Sequence, residues 1–289
     1  MNDAFKEFEV AGWSEPGRGD AYDAVVGRVT ARVAEPLLDA VGVRAGTSLL
    51  DVATGTGHVA GAAAARVAYG VGVDISEEML ARARRLYDGV EFALGDAEEL
   101  AFEDDAFDVA VAAFLLHHVP SPERVVAELA RVARRVAVAQ WDATERARLI
   151  GLLTDAMAAA GVEPPTGQPV GPSRERLARD EELRRLFEGA GLAEVRVDTV
   201  AFVEPMRGTD ELWEGVLGGS VHTRATVLAQ PPDVQQRIRD ELARLVDPHR
   251  REDGIDVPVS VRIASGRRDR HCWPPPLAGR DVRLQSRRP

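Results

Sequence analysis

The sequence predicts an α/β protein built on a parallel sheet with crossover helices, and three observations predict it. Apolar runs of strand length alternate with amphipathic helical patterns along residues 21–265. The run 107–114 is continuously apolar after Asp108, as a strand buried on both faces must be. The composition is 45% hydrophobic but only 5% aromatic, which rests the core on Ala, Val and Leu. A chain of 289 residues holds one large domain with insertions, and is short for two independent enzymes.

The elements follow in order. Val25, Val29, Val33, Leu37 and Leu38 recur at helical spacing within residues 21–41, and Gly42 closes that helix as a C-cap. Residues 48–53 form the first strand, followed by a glycine-containing turn and a helix of small residues over 58–67. The second strand is 69–73. Ser76 N-caps a helix that turns Met79, Leu80 and Ala83 inward. Residues 90–93 and 107–114 are the third and fourth strands. Pro122 opens a helix through Val125, Leu129 and Val132, and 136–141 is the fifth strand. Asp180 caps a helix through Leu183, Leu186 and Phe187 that ends at Gly189 or Gly191, and 194–203 and 257–265 complete the sheet. Segments 142–178 and 204–256 lie outside it. The second is helical around 212–216 and 234–246, and both are expected to cap an active site. One domain therefore spans 1–266, with a ligand-binding core over 21–141. Beyond it, residues 267–289 are rich in Arg, Pro and Gly and predict a disordered tail.

Charge and cysteine content exclude several function classes. A net charge of −11 disfavours a general nucleic-acid binder, which needs a basic face for phosphates. Lys6 is the only lysine, so nearly all positive charge is Arg; we read this as compositional bias, the other reading being anion recognition. Cys272 is the only cysteine, which rules out an intrachain disulfide and a multi-cysteine metal site. Asp3, Lys6, Glu7 and Glu9 interrupt the N-terminus, which does not read as a signal peptide, and no apolar run reaches about 18 residues. A soluble, cytoplasmic protein is expected.

The chemistry concentrates in residues 49–60, where an apolar strand carries Asp51 and opens into Gly55, Thr56 and Gly57 before a helix. Glycines there permit positive φ and close ligand approach, and the helix N-terminus favours an anionic ligand group. The bare pattern also fits a nicotinamide site or a turn without a ligand. The second strand ends at Asp74, where a carboxylate can accept both hydroxyls of a ribose. Asp51, four positions before Gly55, is more selective and suits a ligand with an ammonium group. The third strand leads to Gly95, Asp96 and Ala97; Asp96 either meets an adenine amino group or caps a turn.

With these motifs in this order, and with the stretch 102–120 ending in His117, His118, Val119 and Pro120, the chain resembles the class I S-adenosylmethionine (SAM) dependent methyltransferases. Within them it is similar to the ubiquinone and menaquinone biosynthesis C-methyltransferases. The resemblance covers residues 22–141 well and reaches more weakly to 266. It implies a Rossmann-like seven-stranded sheet whose last strand is antiparallel, with helices on both faces. It implies that Asp51 and the backbone of Ala53, Thr54, Gly55 and Gly57 hold the methionine part of SAM. Asp74 binds the ribose, Ile75 lies against the adenine, Asp96 and Ala97 meet the adenine edge, and Phe114 borders cofactor and acceptor. Two departures stand out: Ala53 replaces a frequent glycine, and 133–136 lacks the usual Pro-Gly-Gly turn.

His117 or His118 is the candidate general base, since imidazole titrates near neutrality; packing or loop roles are the alternative, and adjacent histidines rarely share a metal ion. No metal is expected. Trp13, Tyr22, Trp141 and Trp213 are candidates to cover the sulfonium or the acceptor, or are core residues, and His222 and Arg224 contact substrate or solvent. The expected reaction is methyl transfer to an O, N or C atom of a small-molecule metabolite. The alternatives are a non-catalytic SAM-binding domain and an NAD(P)-dependent oxidoreductase. The expected partner is the acceptor alone, with no nucleic acid and no membrane span; a homodimer is left open.

Overall fold

The computed structural model describes residues 2–66 and 68–268. Three helices open the chain: α1 (Asn2–Trp13), α2 (Arg18–Asp23) and α3 (Val26–Ala40). Strand and helix then alternate through β1 (Ser48–Val52), α4 (His58–Ala65), β2 (Tyr69–Asp74), α5 (Glu77–Leu86) and β3 (Glu91–Leu94). They continue with β4 (Phe107–Ala113), α6 (Pro122–Val132) and β5 (Ala133–Trp141). Next come α7 (Arg148–Ala159), α8 (Arg174–Leu177), α9 (Asp180–Gly189), β6 (Ala193–Met206), α10 (Thr209–Gly218), α11 (Val221–Leu228) and α12 (Pro232–Val246). The two-residue β7 (Arg250–Arg251) and β8 (Gly254–Arg267) end the order.

The sheet runs β3-β2-β1-β4-β5-β8-β6, with β7 paired to β8. Strands β1 to β5 are mutually parallel, and β8 is antiparallel to both β5 and β6. The seven long strands and the antiparallel final strand are those implied by the resemblance, and β7 adds a short eighth. Alternate residues supply opposite faces: Leu49, Val109, Val111 and Ala137 pack with α3, α7, α10 and α12, whereas Leu50, Ala110, Ala112 and Val136 pack with α6 and α9. Val29, Val33, Leu37 and Leu38 of α3 are wholly buried, each contributing roughly 1.5–3 kcal/mol.

Several boundaries differ from expectation for identifiable reasons. The helix expected over 21–41 is two helices, because Val25 takes φ −138° and breaks the run. Ser76 does cap α5, accepting from the Met79 N–H (3.3 Å). Asp180 does not cap α9; Arg179 holds that position, and the Asp180 carboxylate pairs instead with Arg262. The turn missing before the fifth strand is accounted for by α6 ending at Val132 with β5 beginning at Ala133. Strand β6 runs on to Met206, into the segment expected to be cap. The tail predicted from 267 lies outside the described residues from 269 onward, as does Cys272. Among the described residues no helix is long and apolar enough to cross a membrane.

Helix α1 is an element that sequence patterning did not deliver. Arg18 fastens it to α10: its buried guanidinium donates to the carbonyl oxygens of Gly12 (2.9 Å), Leu217 and Gly218 (3.3 Å each). The helix lies across the C-terminal ends of the strands.

Candidate active site

Strands β2 and β3 lie on one side of β1 and β4 on the other, so the chain changes direction between β1 and β4. A crevice at the C-terminal strand ends is expected at that point. There the structure holds a cavity of about 110 Å³ lined by Ala53, Gly55, Asp74, Ile75, Asp96, Ala97, Phe114 and His118 from the sequence candidates. Lys6, Glu9 and Trp13 of α1 form its opposite wall. Asp51, Thr54 and Gly57 stand behind the turn, outside the lining, and His117 faces a different cavity.

The turn after β1 is held by its own polar groups. Asp51 is buried, and its Oδ2 accepts from Thr54 Oγ1 (2.6 Å) and the Ala60 N–H (3.1 Å), while its Oδ1 has no partner among the described residues. Burial pushes its carboxyl up to about 7. Ala53 takes φ +54°, the left-handed region that costs an L-residue about 1–2 kcal/mol and explains why glycine is frequent there. Gly57, at φ +87°, has no room for a Cβ, which would stand 2.9 Å from Phe92 Cζ.

Asp74 joins the turn to the cavity. Its Oδ2 accepts from the Gly55 N–H (2.8 Å) and its Oδ1 from the Ser76 N–H (2.9 Å). Burial raises its carboxyl to about 6, and these backbone donors oppose the rise. Asp96 is differently engaged. Lys6 pairs with its Oδ2 and with Glu98 Oε2 (3.0 Å), and the Glu98 N–H donates to Asp96 Oδ1 (3.0 Å). The only lysine thus closes the Asp96 end of the cavity.

The two histidines are distinct. His117 Nδ1 accepts from Gln140 Nε2 (3.1 Å), and burial, with His118 and Arg174 nearby, lowers its pKa well below the usual value, so it is neutral at pH 7. His118 lines both cavities. Its Nδ1 meets Glu9 Oε2 (2.9 Å), which also accepts from Trp13 Nε1 (3.1 Å). An ionised carboxylate only accepts, so Nδ1 carries the hydrogen and Nε2 of neutral His118 is a base. Sequence reasoning missed Glu9 and Lys6. The one available signal was the helical spacing of Phe5, Phe8 and Trp13 in a chain poor in aromatics.

Of the singled-out aromatics, Trp13, Tyr22 and Trp141 line the first cavity, and Trp141 stacks on Phe114 at 4.2 Å. Trp213 is a core residue with Arg239 over its ring. His222 lines the second cavity, whereas Arg224 pairs with Glu15 (3.5 Å) away from both.

This is the Rossmann-like methyltransferase fold. Residues 50–138 match the family described as methyltransferase domain, in agreement with the resemblance to class I SAM-dependent methyltransferases. The chain is 42% identical over 120 residues to a phosphatidylethanolamine N-methyltransferase of Cereibacter sphaeroides, covering 39% of this chain and 58% of that protein. It is 43% identical over 98 residues to a demethylmenaquinone methyltransferase of Clavibacter sepedonicus, covering 33% of this chain and 40% of that protein. The match therefore spans about half the length of these curated relatives. The crystal structure of the YcgJ protein from Bacillus subtilis superposes with a TM-score of 0.54 at 20% identity, covering 82% of this chain and 98% of that one.

Proposed function

We propose that the protein is a SAM-dependent methyltransferase acting on an O, N or C atom of a small-molecule metabolite. The observation that carries this reading is Asp74, a carboxylate at the end of β2 that lines the cavity beside the Gly55 turn, within the segment that matches the methyltransferase domain. The donor set fits the cofactor, and the volume of about 110 Å³ requires Lys6 and helix α1 to give way as it enters. Asp74 would accept the ribose hydroxyls, and Ile75, Met79 and Ala97 offer apolar surface to the adenine. Asp96 would take the adenine amino group once Lys6 leaves it. Asp51 acts through the turn, fixing Ala53 to Gly57 for the methionine part.

Bound SAM supplies an electrophilic methyl group on a sulfonium, a good leaving group. What the chain adds is alignment and exclusion of water. Helix α1 roofs the first cavity through Glu9 and Trp13. His118, oriented by Glu9, can remove a proton from the acceptor through Nε2. The acceptor would occupy the second cavity, which the segments 142–178 and 204–256 help to wall as a cap within one domain over 1–266.

Calorimetric titration with SAM, S-adenosylhomocysteine and NADH in parallel tests this reading. Micromolar binding of the first two without the third is the expected result. NADH binding alone would overturn it in favour of an oxidoreductase.

A further inference from the structure

The second cavity measures about 200 Å³ and shares Glu9, His118, Trp141 and Gly219 with the first. Its walls include Phe5 and Ile150, and three imidazoles face it: His117, His118 and His222. Arg174, the first residue of α8, lines this space as well. Among the described residues no carboxylate lies within ion-pair distance of its guanidinium and no group accepts a hydrogen bond from it. The negative charges that influence it are Glu175, which is exposed, and Glu9, whose Oε2 is committed to His118 and Trp13. Burial lowers the pKa of Arg174, and its positive charge together with burial lowers those of His117 and His222. A buried guanidinium with no carboxylate in direct contact is unfavourable, so an anion that can pair with it is the natural complement of such a cavity.

We infer that the second cavity binds an acceptor carrying one carboxylate on a single ring, with Arg174 as the residue that anchors the carboxylate and selects the substrate. The planar guanidinium fork matches a carboxylate in two parallel hydrogen bonds. With Glu9 engaged by His118 and Trp13, the Arg174 guanidinium is the positive group left to pair with one carboxylate, whereas a phosphate dianion would leave a charge uncompensated. Cavities of about 150 Å³ take one benzene ring, so a cavity of about 200 Å³ has room for a ring and its carboxylate. A ring anchored at Arg174 extends toward the seam where His118 stands between the two cavities. The assignment of this ligand as the methyl acceptor rests on the methyltransferase reading.

Benzoate and benzamide, which differ in charge but little in size, serve as probes by calorimetry, each with and without saturating S-adenosylhomocysteine. Wild-type protein is expected to bind benzoate at least tenfold more tightly than benzamide. Arg174→Gln should lose at least tenfold in benzoate affinity while its melting temperature and S-adenosylhomocysteine affinity stay at wild-type values. If Arg174→Gln does not fold, Arg174→Lys carries the test, since it keeps the charge and loses the fork; a fall of threefold or more supports the assignment. Equal binding of the two probes, binding of neither, or unchanged benzoate affinity in the variant would overturn it. Benzoate selectivity that depends on Arg174 without S-adenosylhomocysteine binding would leave the anion site standing and sink the methyltransferase reading instead.

Discussion

Glu9 and His118 meet at 2.9 Å across 109 positions of sequence, joining the N-terminal helix to the loop after β4. The pair fixes the tautomer of His118, placing the hydrogen on Nδ1 and leaving the lone pair on Nε2. Replacing Glu9 by Gln retains a hydrogen bond but removes the charge that stabilises an imidazolium. We expect Glu9→Gln to lower kcat about tenfold with KM for SAM little changed, and His118→Ala to cost about a hundredfold. His117→Ala should stay within fivefold. Steady-state release of S-adenosylhomocysteine checks all three, and equal losses for the two histidines would refute the assignment.

Asp74→Asn should weaken SAM binding by one to two orders of magnitude, because the ribose loses a charged acceptor. The side chain also satisfies the Gly55 and Ser76 N–H groups, so Asp74→Ala carries an added stability loss of about 1–3 kcal/mol that Asp74→Asn largely avoids. Calorimetry and urea denaturation on both variants separate the two effects.

Burial raises the Asp51 carboxyl to about 7, above the 3.8 of an unperturbed Asp, so the folded protein binds the proton more tightly than the unfolded chain. Its destabilising contribution is absent below about pH 4 and grows as pH rises to about 7. Asp51→Asn mimics the protonated form. The variant should equal wild type at pH 4, exceed it in urea midpoint at pH 8, and bind SAM several-fold more weakly at pH 8 for want of the charge behind the turn. A wild-type stability that is flat across this range, or that rises equally in both proteins, would contradict the prediction.

Ala53→Gly should raise stability by up to about 1 kcal/mol, the relief of φ +54° outweighing the entropy glycine loses on folding. Denaturant unfolding measures the balance, and a destabilised variant would mean that the Ala53 methyl contributes packing that exceeds the strain.

Lys6 holds Asp96 and Glu98 in a partly exposed ion pair, an interaction of limited strength. Lys6→Met should increase S-adenosylhomocysteine affinity about two- to fivefold by freeing Asp96. Trp13 fluorescence during stopped-flow mixing reports the change, and weaker binding would assign Lys6 to the ligand rather than to closure.

The strands β1 to β5 were legible because each parallel strand is a short apolar run and each crossover helix carries its own stripe. The motif carboxylates Asp51, Asp74 and Asp96 were legible because each sits at a strand end where local sequence declares it. Their surroundings were not: only the fold places Asp51 behind the turn and turns Asp96 toward Lys6. Choosing between His117 and His118 required Glu9, and Arg174 gave no signal because its four-residue helix is too short to show periodicity. The break at Val25 was hidden since both flanking helices keep the same apolar spacing.

The strand-end residues of the first cavity come from residues 53–120 and Trp141, whereas the second cavity is gathered from stretches as distant as Phe5, Ile150, Arg174 and His222. On the proposed function, descent can trade one acceptor for another by reworking scattered loops while the donor machinery is inherited intact. The shared residues Glu9, His118, Trp141 and Gly219 are the exception, and Glu9 brings in helix α1, whose Lys6 and Trp13 also border the first space. Mutations there are pleiotropic, and lineages that change substrate should carry paired changes in α1 and in the strand ends it covers.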